Sequence, residues 1–153
     1  MKSNRRGIRN NNPFNIRISS HPWIGKVKKG TDPDFEQFEN MYFGIRAGLK
    51  LLINYVARGF DTPKKIIARF APASENNVAN YVSFICRDSR DCFFIAPDER
   101  VTCLREFCKL ASRMAKYECN LGYAEMANFR LLPEDLREFI SVYGLNKNNV
   151  LSD

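Results

Sequence analysis

The sequence predicts a single, mainly α (α+β) domain with about six helices and a small N-terminal β-hairpin. Three observations predict it. From residue 40 onward apolar residues recur at steps of three and four, the spacing of one helix face. Between residues 13 and 39 the pattern changes to short alternating runs separated by turn residues. The 153 residues suit one domain rather than two, and no internal repeat or linker divides them. The domain, 1–153, reads as a basic N-terminal segment (1–12), a hairpin (13–39), a helical body (40–144) and a tail (145–153).

In the hairpin segment, Phe14-Asn15-Ile16-Arg17-Ile18 alternates apolar and polar residues. Ser19-Ser20-His21-Pro22 is a turn, Trp23-Ile24-Gly25-Lys26-Val27 a second strand, and residues 29–34 a second turn ahead of Phe35 and Phe38. A hairpin or three-strand meander fits. The first long helix follows, with Tyr42, Ile45, Leu49, Leu52 and Val56 on one face and Gly59 at its end. Asp61-Thr62-Pro63 opens the next, with proline at the first helical position, and Pro72 stops it. Ser74 is the expected cap of a helix carrying Val78, Tyr81, Val82 and Ile85. Residues 86–96 read as a loop. Pro97 opens the longest predicted helix, running to about Glu118. A short helix over 123–132, a last one from Pro133 to Gly144, and a frayed tail complete the reading.

Composition narrows the function. Hydrophobic residues make up 44% and charged residues 27%, which excludes wholesale disorder. No apolar run approaches the ~20 residues of a membrane span. No apolar stretch follows Met1-Lys2-Ser3-Asn4-Arg5-Arg6, so synthesis in the cytoplasm without a signal peptide is expected. The net charge is +7, yet residues 1–30 hold eight basic residues and no acidic one, so all of the net charge belongs to them. Such a segment favours an anionic polymer or surface: nucleic acid, an anionic membrane or a bacterial wall. It also fits a solvated basic edge. Five cysteines at irregular spacing and a single histidine, His21, do not make a zinc site. Free thiols in a reducing cytosol are expected.

The chemistry concentrates in two places. The stripe Val101, Leu104, Cys108, Ala111 and Ala115 of the long helix reaches Glu118 at its next step, which puts a carboxylate on the core-facing side of the last turn. The helix macrodipole disfavours an anion there, and burial would add desolvation, the setting of a general acid. The plainer reading has Glu118 pointing to water or pairing with an arginine. The second place is Gly7-Ile8-Arg9-Asn10-Asn11-Asn12-Pro13-Phe14-Asn15-Ile16-Arg17. Its asparagines can form a turn, or offer sugar hydroxyls and N-acetyl groups both donors and acceptors. Ser74 and Glu75 read as capping chemistry. Trp23, Phe35, Phe38, Tyr42 and Tyr81 can stack on sugars or fill the core.

Together these segments resemble a phage and prophage family of lysozyme-like proteins, often labelled virion or structural proteins. The resemblance rests on Arg6-Gly7-Ile8-Arg9-Asn10-Asn11-Asn12-Pro13 with Asn15-Ile16-Arg17. Phe43-Gly44-Ile45-Arg46-Ala47 follows, then Ala71-Pro72-Ala73-Ser74-Glu75-Asn76 with Tyr81. It covers roughly residues 5–87. Beyond them, Lys116-Tyr117-Glu118-Cys119-Asn120-Leu121-Gly122-Tyr123 is similar to the family's His-Glu-Asn-Gly-like helix end. Here tyrosine replaces histidine and the glycine is displaced. The resemblance implies a circularly permuted lysozyme-like fold, with the hairpin ahead of the glutamate helix.

It also implies peptidoglycan glycan-strand cleavage of the lysozyme or lytic-transglycosylase type. Glu118 would be the catalytic acid, with Asn11, Asn12, Asn15, Phe38, Tyr81 and Tyr123 binding the glycan and no cofactor or metal. A hydrolase would need a second carboxylate, for which Asp32, Asp34, Glu36 and Glu39 are the candidates. A transglycosylase would need none. The partners expected are peptidoglycan and phage or secretion-apparatus proteins, with no specific nucleic acid and no membrane span, the chain acting as a monomer. The expected place of action is the bacterial wall, reached after lysis, injection or dedicated export. A non-catalytic wall-binding or virion component of the same fold is the alternative. A nucleic-acid-binding helical protein ranks behind both, because the basic residues lie among asparagine and proline turns rather than along one helix face.

Overall fold

A computed structural model describes residues 4–71, 77–90 and 92–121. Five helices and one two-stranded antiparallel sheet lie within them: α1 (Asn4–Arg9), α2 (Met41–Ala57), α3 (Pro63–Phe70), α4 (Val78–Ile85), β1 (Arg87–Asp88), β2 (Phe93–Phe94) and α5 (Leu104–Cys119). The structure is thus mainly α with a small β element. The sequence-predicted helices after residue 122, the tail and Tyr123 lie outside the described residues. No helix among the described residues is long and apolar enough to cross a membrane.

Three of the helix starts have a side-chain cause. The Asn40 side chain caps α2 by accepting from the Phe43 N–H at 3.2 Å. Thr62 caps α3 in the same way, with Pro63 where a missing N–H costs nothing. The cap of α4 is Asn77, which accepts from the Asn80 N–H; the expected cap, Ser74, lies outside the described residues. The predicted face of α2 is buried at Ile45, Leu49, Leu52 and Val56, whereas Tyr42 at its first turn is 42% exposed. On α4, Tyr81, Val82 and Ile85 are buried.

Three expectations are corrected. The segment 13–39 forms no strand ladder. Its neighbouring runs pair at two isolated bridges, Arg17 with Phe35 and Lys26 with Phe38, closed by backbone bonds from the Ile18, Glu36, Val27 and Glu39 N–H groups to the Asp34, Ile16, Gln37 and Gly25 carbonyls. Left-handed backbone at Asn11 and Asn15 breaks the alternation a strand needs. The Asn12 carboxamide takes the Ile16 N–H and both the Ile16 and Glu36 carbonyls, so a side chain does much of the work of a ladder. The regular strands instead occupy 87–94, which the sequence marks as loop. There Asp88 and Phe93 point in while Arg87 and Phe94 point out.

The third correction concerns the last described helix, which begins at Leu104 and not at Pro97. Residues 97–101 run along the start of α3 instead. The Lys64 N–H donates to the Pro97 carbonyl and the Val101 N–H to the Asp61 carbonyl. Those bonds satisfy the backbone that a helix would otherwise have used. The N-terminal basic segment also contains a helix, α1, which apolar spacing does not reveal.

The core gathers α2, α3, α4 and α5 around Ile45, Leu49, Leu52, Ile67, Tyr81, Ile85, Leu110 and Met114. Phe14 and Phe38 fill it from the asparagine-rich side. That side meets α2 at Gly44 and Gly48, where any side chain would run into the Asn11 backbone and the Phe14 ring.

Candidate functional site

The site forms where the two ends of the described chain meet. The last turn of α5 brings Glu118 inward with Ala111 and Ala115, as the stripe predicts, and the carboxylate is 1% exposed. The helix stops at Asn120 in the left-handed conformation, whose N–H closes on the Lys116 carbonyl. Against this turn lies the segment after α1. Its chain reverses through the Asn12 N–H to the Gly7 carbonyl and the Asn15 N–H to the Asn12 carbonyl. Asn15, at φ 50°, turns its side chain toward α5. Its Nδ2 donates to Glu118 Oε1 at 3.1 Å and approaches the Glu118 carbonyl at 3.4 Å.

Tyr81 of α4 supplies another wall. Its ring stacks on Tyr117 with centroids 3.8 Å apart, and Phe84 meets Tyr117 edge-on at 5.4 Å. Burial pushes the Tyr81 phenol well above its ordinary pKa, and the neighbouring Glu118 carboxylate pushes it further. The phenol therefore stays a neutral donor across the working pH range. The Asn15 Oδ1 is buried with no hydrogen-bond partner among the described residues. A carboxyl group, a phenol and a carboxamide thus meet in one buried place.

The other predicted residues divide. Asn11 is half-buried and donates to the Phe38 carbonyl at 3.0 Å. Asn12 is fully buried with its amide committed to backbone, and Phe38, 2% exposed, belongs to the core. Neither Asn12 nor Phe38 presents surface, so their contribution is to hold the turn. Of the remaining aromatics, Phe35 is buried, Trp23 half-buried against His21, and Tyr42 exposed.

The candidate second carboxylates are mostly engaged. Asp32 accepts two bonds from the Arg6 guanidinium, at 2.6 and 2.7 Å, one from Asn10 and two from backbone N–H groups. Asp34 pairs with Arg6 at 2.8 Å, and Glu36 with Lys26 at 2.9 Å. Glu39 is exposed. Sequence spacing misses the Arg6–Asp32 anchor, although an arginine beside the Asn-rich turn and an Asp-Pro-Asp turn are its visible halves. Among the described residues no group of three His, Cys, Asp or Glu side chains could hold a metal ion. Cys86 and Cys119 are buried thiols and Cys92 an exposed one.

The chain is therefore a mainly α domain with one buried glutamate held at a helix end by an asparagine turn, and its sequence is similar to that of a phage protein. Over 84 residues it is 43% identical to Protein P5 of Pseudoalteromonas phage PM2, a stretch covering 52% of this chain and 52% of that protein. The match thus spans about half the length of each. No protein-family model matches the chain.

Proposed function

We propose that the chain cleaves the glycan strands of peptidoglycan, with Glu118 as the general acid. The hydrogen bond from Asn15 to Glu118 carries this reading, because it joins the asparagine turn to the glutamate helix across 103 residues of sequence. That juxtaposition is what a permuted lysozyme-like arrangement requires.

In the reaction, Glu118 donates its proton to the glycosidic oxygen as the C1–O bond breaks, and positive charge develops on the sugar ring. The carboxylate then takes a proton from the incoming nucleophile, either water or the sugar's own 6-hydroxyl. A retaining hydrolase needs a second carboxylate ~5–5.5 Å from the first, an inverting one ~6.5–9.5 Å. Asp32, Asp34 and Glu36 are tied into ion pairs, which leaves exposed Glu39 as the candidate second carboxylate of a hydrolase and the 6-hydroxyl route as the one that needs none. The basic N-terminal segment suits an anionic wall polymer. The likeness to a phage protein suits phage proteins as partners.

Zymography on bacterial walls tests the reading. Clearing by the wild type should fall ~10²–10⁴-fold in Glu118→Gln, the usual contribution of general acid catalysis. Exposed Asp98, changed to Asn, serves as the control. Anhydro-sugar ends among the products identify the 6-hydroxyl route. Equal clearing by wild type and Glu118→Gln would sink the assignment.

A second reading has its own support. Glu118 is almost wholly buried and bonded by Asn15, as a purely structural carboxylate is, and Tyr117 precedes it where the family shape has histidine. In that reading the chain is a non-catalytic wall-binding or virion component. Folded protein that binds walls and never clears them identifies it.

A further inference from the structure

We propose that Asn15 is the positioning residue of Glu118: its amide fixes the orientation in which the carboxyl group is held. The inference rests on the reading of Glu118 as general acid. Both groups facing the Asn15 amide, Glu118 Oε1 at 3.1 Å and the Glu118 carbonyl at 3.4 Å, are acceptors. Only the NH2 end of a carboxamide can serve them, so the orientation of Asn15 is set by chemistry. One side chain thus grips the side chain and the backbone of the same glutamate.

Two features separate this role from ordinary turn-knitting. Asn15 Oδ1 is buried with no partner among the described residues. Asn12, which knits the turn, has both ends of its amide bonded. Asn15 instead forgoes one bond and places its donors on Glu118. The space for that carboxamide exists because residue 7 is glycine: a Cβ there would stand 3.2 Å from Asn15 Oδ1 and 2.7 Å from the Cys119 Cβ.

The charged and titratable groups on the described elements around Glu118 are these. Tyr81 faces Glu118 from α4, a helix without charged residues. On α1, Arg6 is engaged by Asp32 and Asp34, and Arg9 is exposed. On α2, Arg46 and Lys50 are half-buried. The neighbours on α5 itself are Arg113, Lys116, Tyr117 and Cys119, of which Arg113 donates to the Phe84 carbonyl.

The test uses the full chain and intact sacculi, with lysis followed by turbidity from pH 4 to 9 at a temperature where melting curves show every variant folded. Asn15→Asp keeps the left-handed backbone and sets a second carboxylate against Glu118. Two adjacent carboxylates cannot both ionise readily, so the pair holds its proton to higher pH, and the alkaline limb of lysis should move up by roughly one unit or more. Asn15→Gly removes the amide without strain at positive φ, and the rate per folded molecule should fall about tenfold or more. A merely structural asparagine would lower the melting temperature and leave the pH profile where it was.

An unmoved profile in Asn15→Asp, with Glu118→Gln inactive, overturns the inference and leaves the general acid standing. If the aspartate variant does not fold, an undiminished rate per folded molecule in Asn15→Gly overturns it equally. Wild-type protein that never clears walls, or full activity in Glu118→Gln, overturns the general acid and this role with it.

Discussion

Gly7 and Cys119 face each other so closely that a β-carbon on the glycine would stand 2.7 Å from the Cβ of Cys119. Helix α1 rests on the last turn of α5 at this point. The same contact sets the distance between the asparagine turn and Glu118, so the geometry of the site depends on a position with no side chain.

Gly7→Ala should therefore be costly although alanine is the better helix former. The added methyl must push α1 away from Cys119, the Asn12 carbonyl and the Asn15 amide together. Overpacking of this kind costs about 1–3 kcal/mol. Urea unfolding measures it against Ile8→Ala, one residue along and 47% exposed, which should change stability little.

Asn12→Ala should destabilise more than any exposed substitution in the same turn. It strips partners from the Ile16 N–H and from the Ile16 and Glu36 carbonyls, all in a buried setting. Unsatisfied buried groups cost about 1–3 kcal/mol each, and partial relaxation brings the expected total to roughly 2–4 kcal/mol. A loss below about 0.5 kcal/mol in chemical denaturation would contradict the role given to this side chain.

Acid should weaken the protein through Asp32. The Arg6 guanidinium holds its carboxyl well below the usual carboxylate range; burial opposes this, and Asn10 and two backbone N–H groups reinforce it. A folded-state pKa below the unfolded value of about 3.9 contributes stability that is complete above that value and is lost as pH falls below it. Melting temperatures of wild type and Asp32→Asn should differ most near pH 6 and converge toward pH 2. A gap that stays constant with pH would exclude this linkage.

Thiol reactivity should follow burial. Burial pushes the Cys86 thiol up to about 11 and, with the neighbouring Glu118 carboxylate, the Cys119 thiol up to about 12. Cys92 is exposed. The thiolate is the reactive form, so iodoacetamide at pH 8 should modify Cys92 first and reach Cys86 and Cys119 only after unfolding. Mass spectrometry of time points reads the order. Early labelling of Cys119 would show that the end of α5 opens readily.

Much of the helical part was legible because its signals are local. The apolar spacing of α2 and α4, Thr62-Pro63 at the start of α3, and the stripe that carries Glu118 inward are each set within a few turns of chain. The segment 13–39 was harder. Alternation there suggests strands, but left-handed turns at Asn11 and Asn15 and side-chain bonds from Asn12 interrupt the pairing and leave two isolated bridges. At β1 and β2 the strands are two residues each, too short for alternation to register. Pro97 suggests a helix start, but no local signal reveals that the backbone from Pro97 to Val101 bonds Lys64 and Asp61 instead.

By itself, then, the sequence determined that this chain is mainly helical, where its basic charge lies, and that an apolar helix stripe ends on Glu118. Periodicity and composition act over short stretches, and those features are short-range. Only the tertiary structure decided that Asn15 meets Glu118, that Tyr81 walls the same carboxylate, and that Asp32 belongs to Arg6. Those pairs are far apart in the chain, and no spacing rule connects them. They form because packing α1 on α5 and α5 on α4 leaves buried polar groups that must find one another as water is excluded.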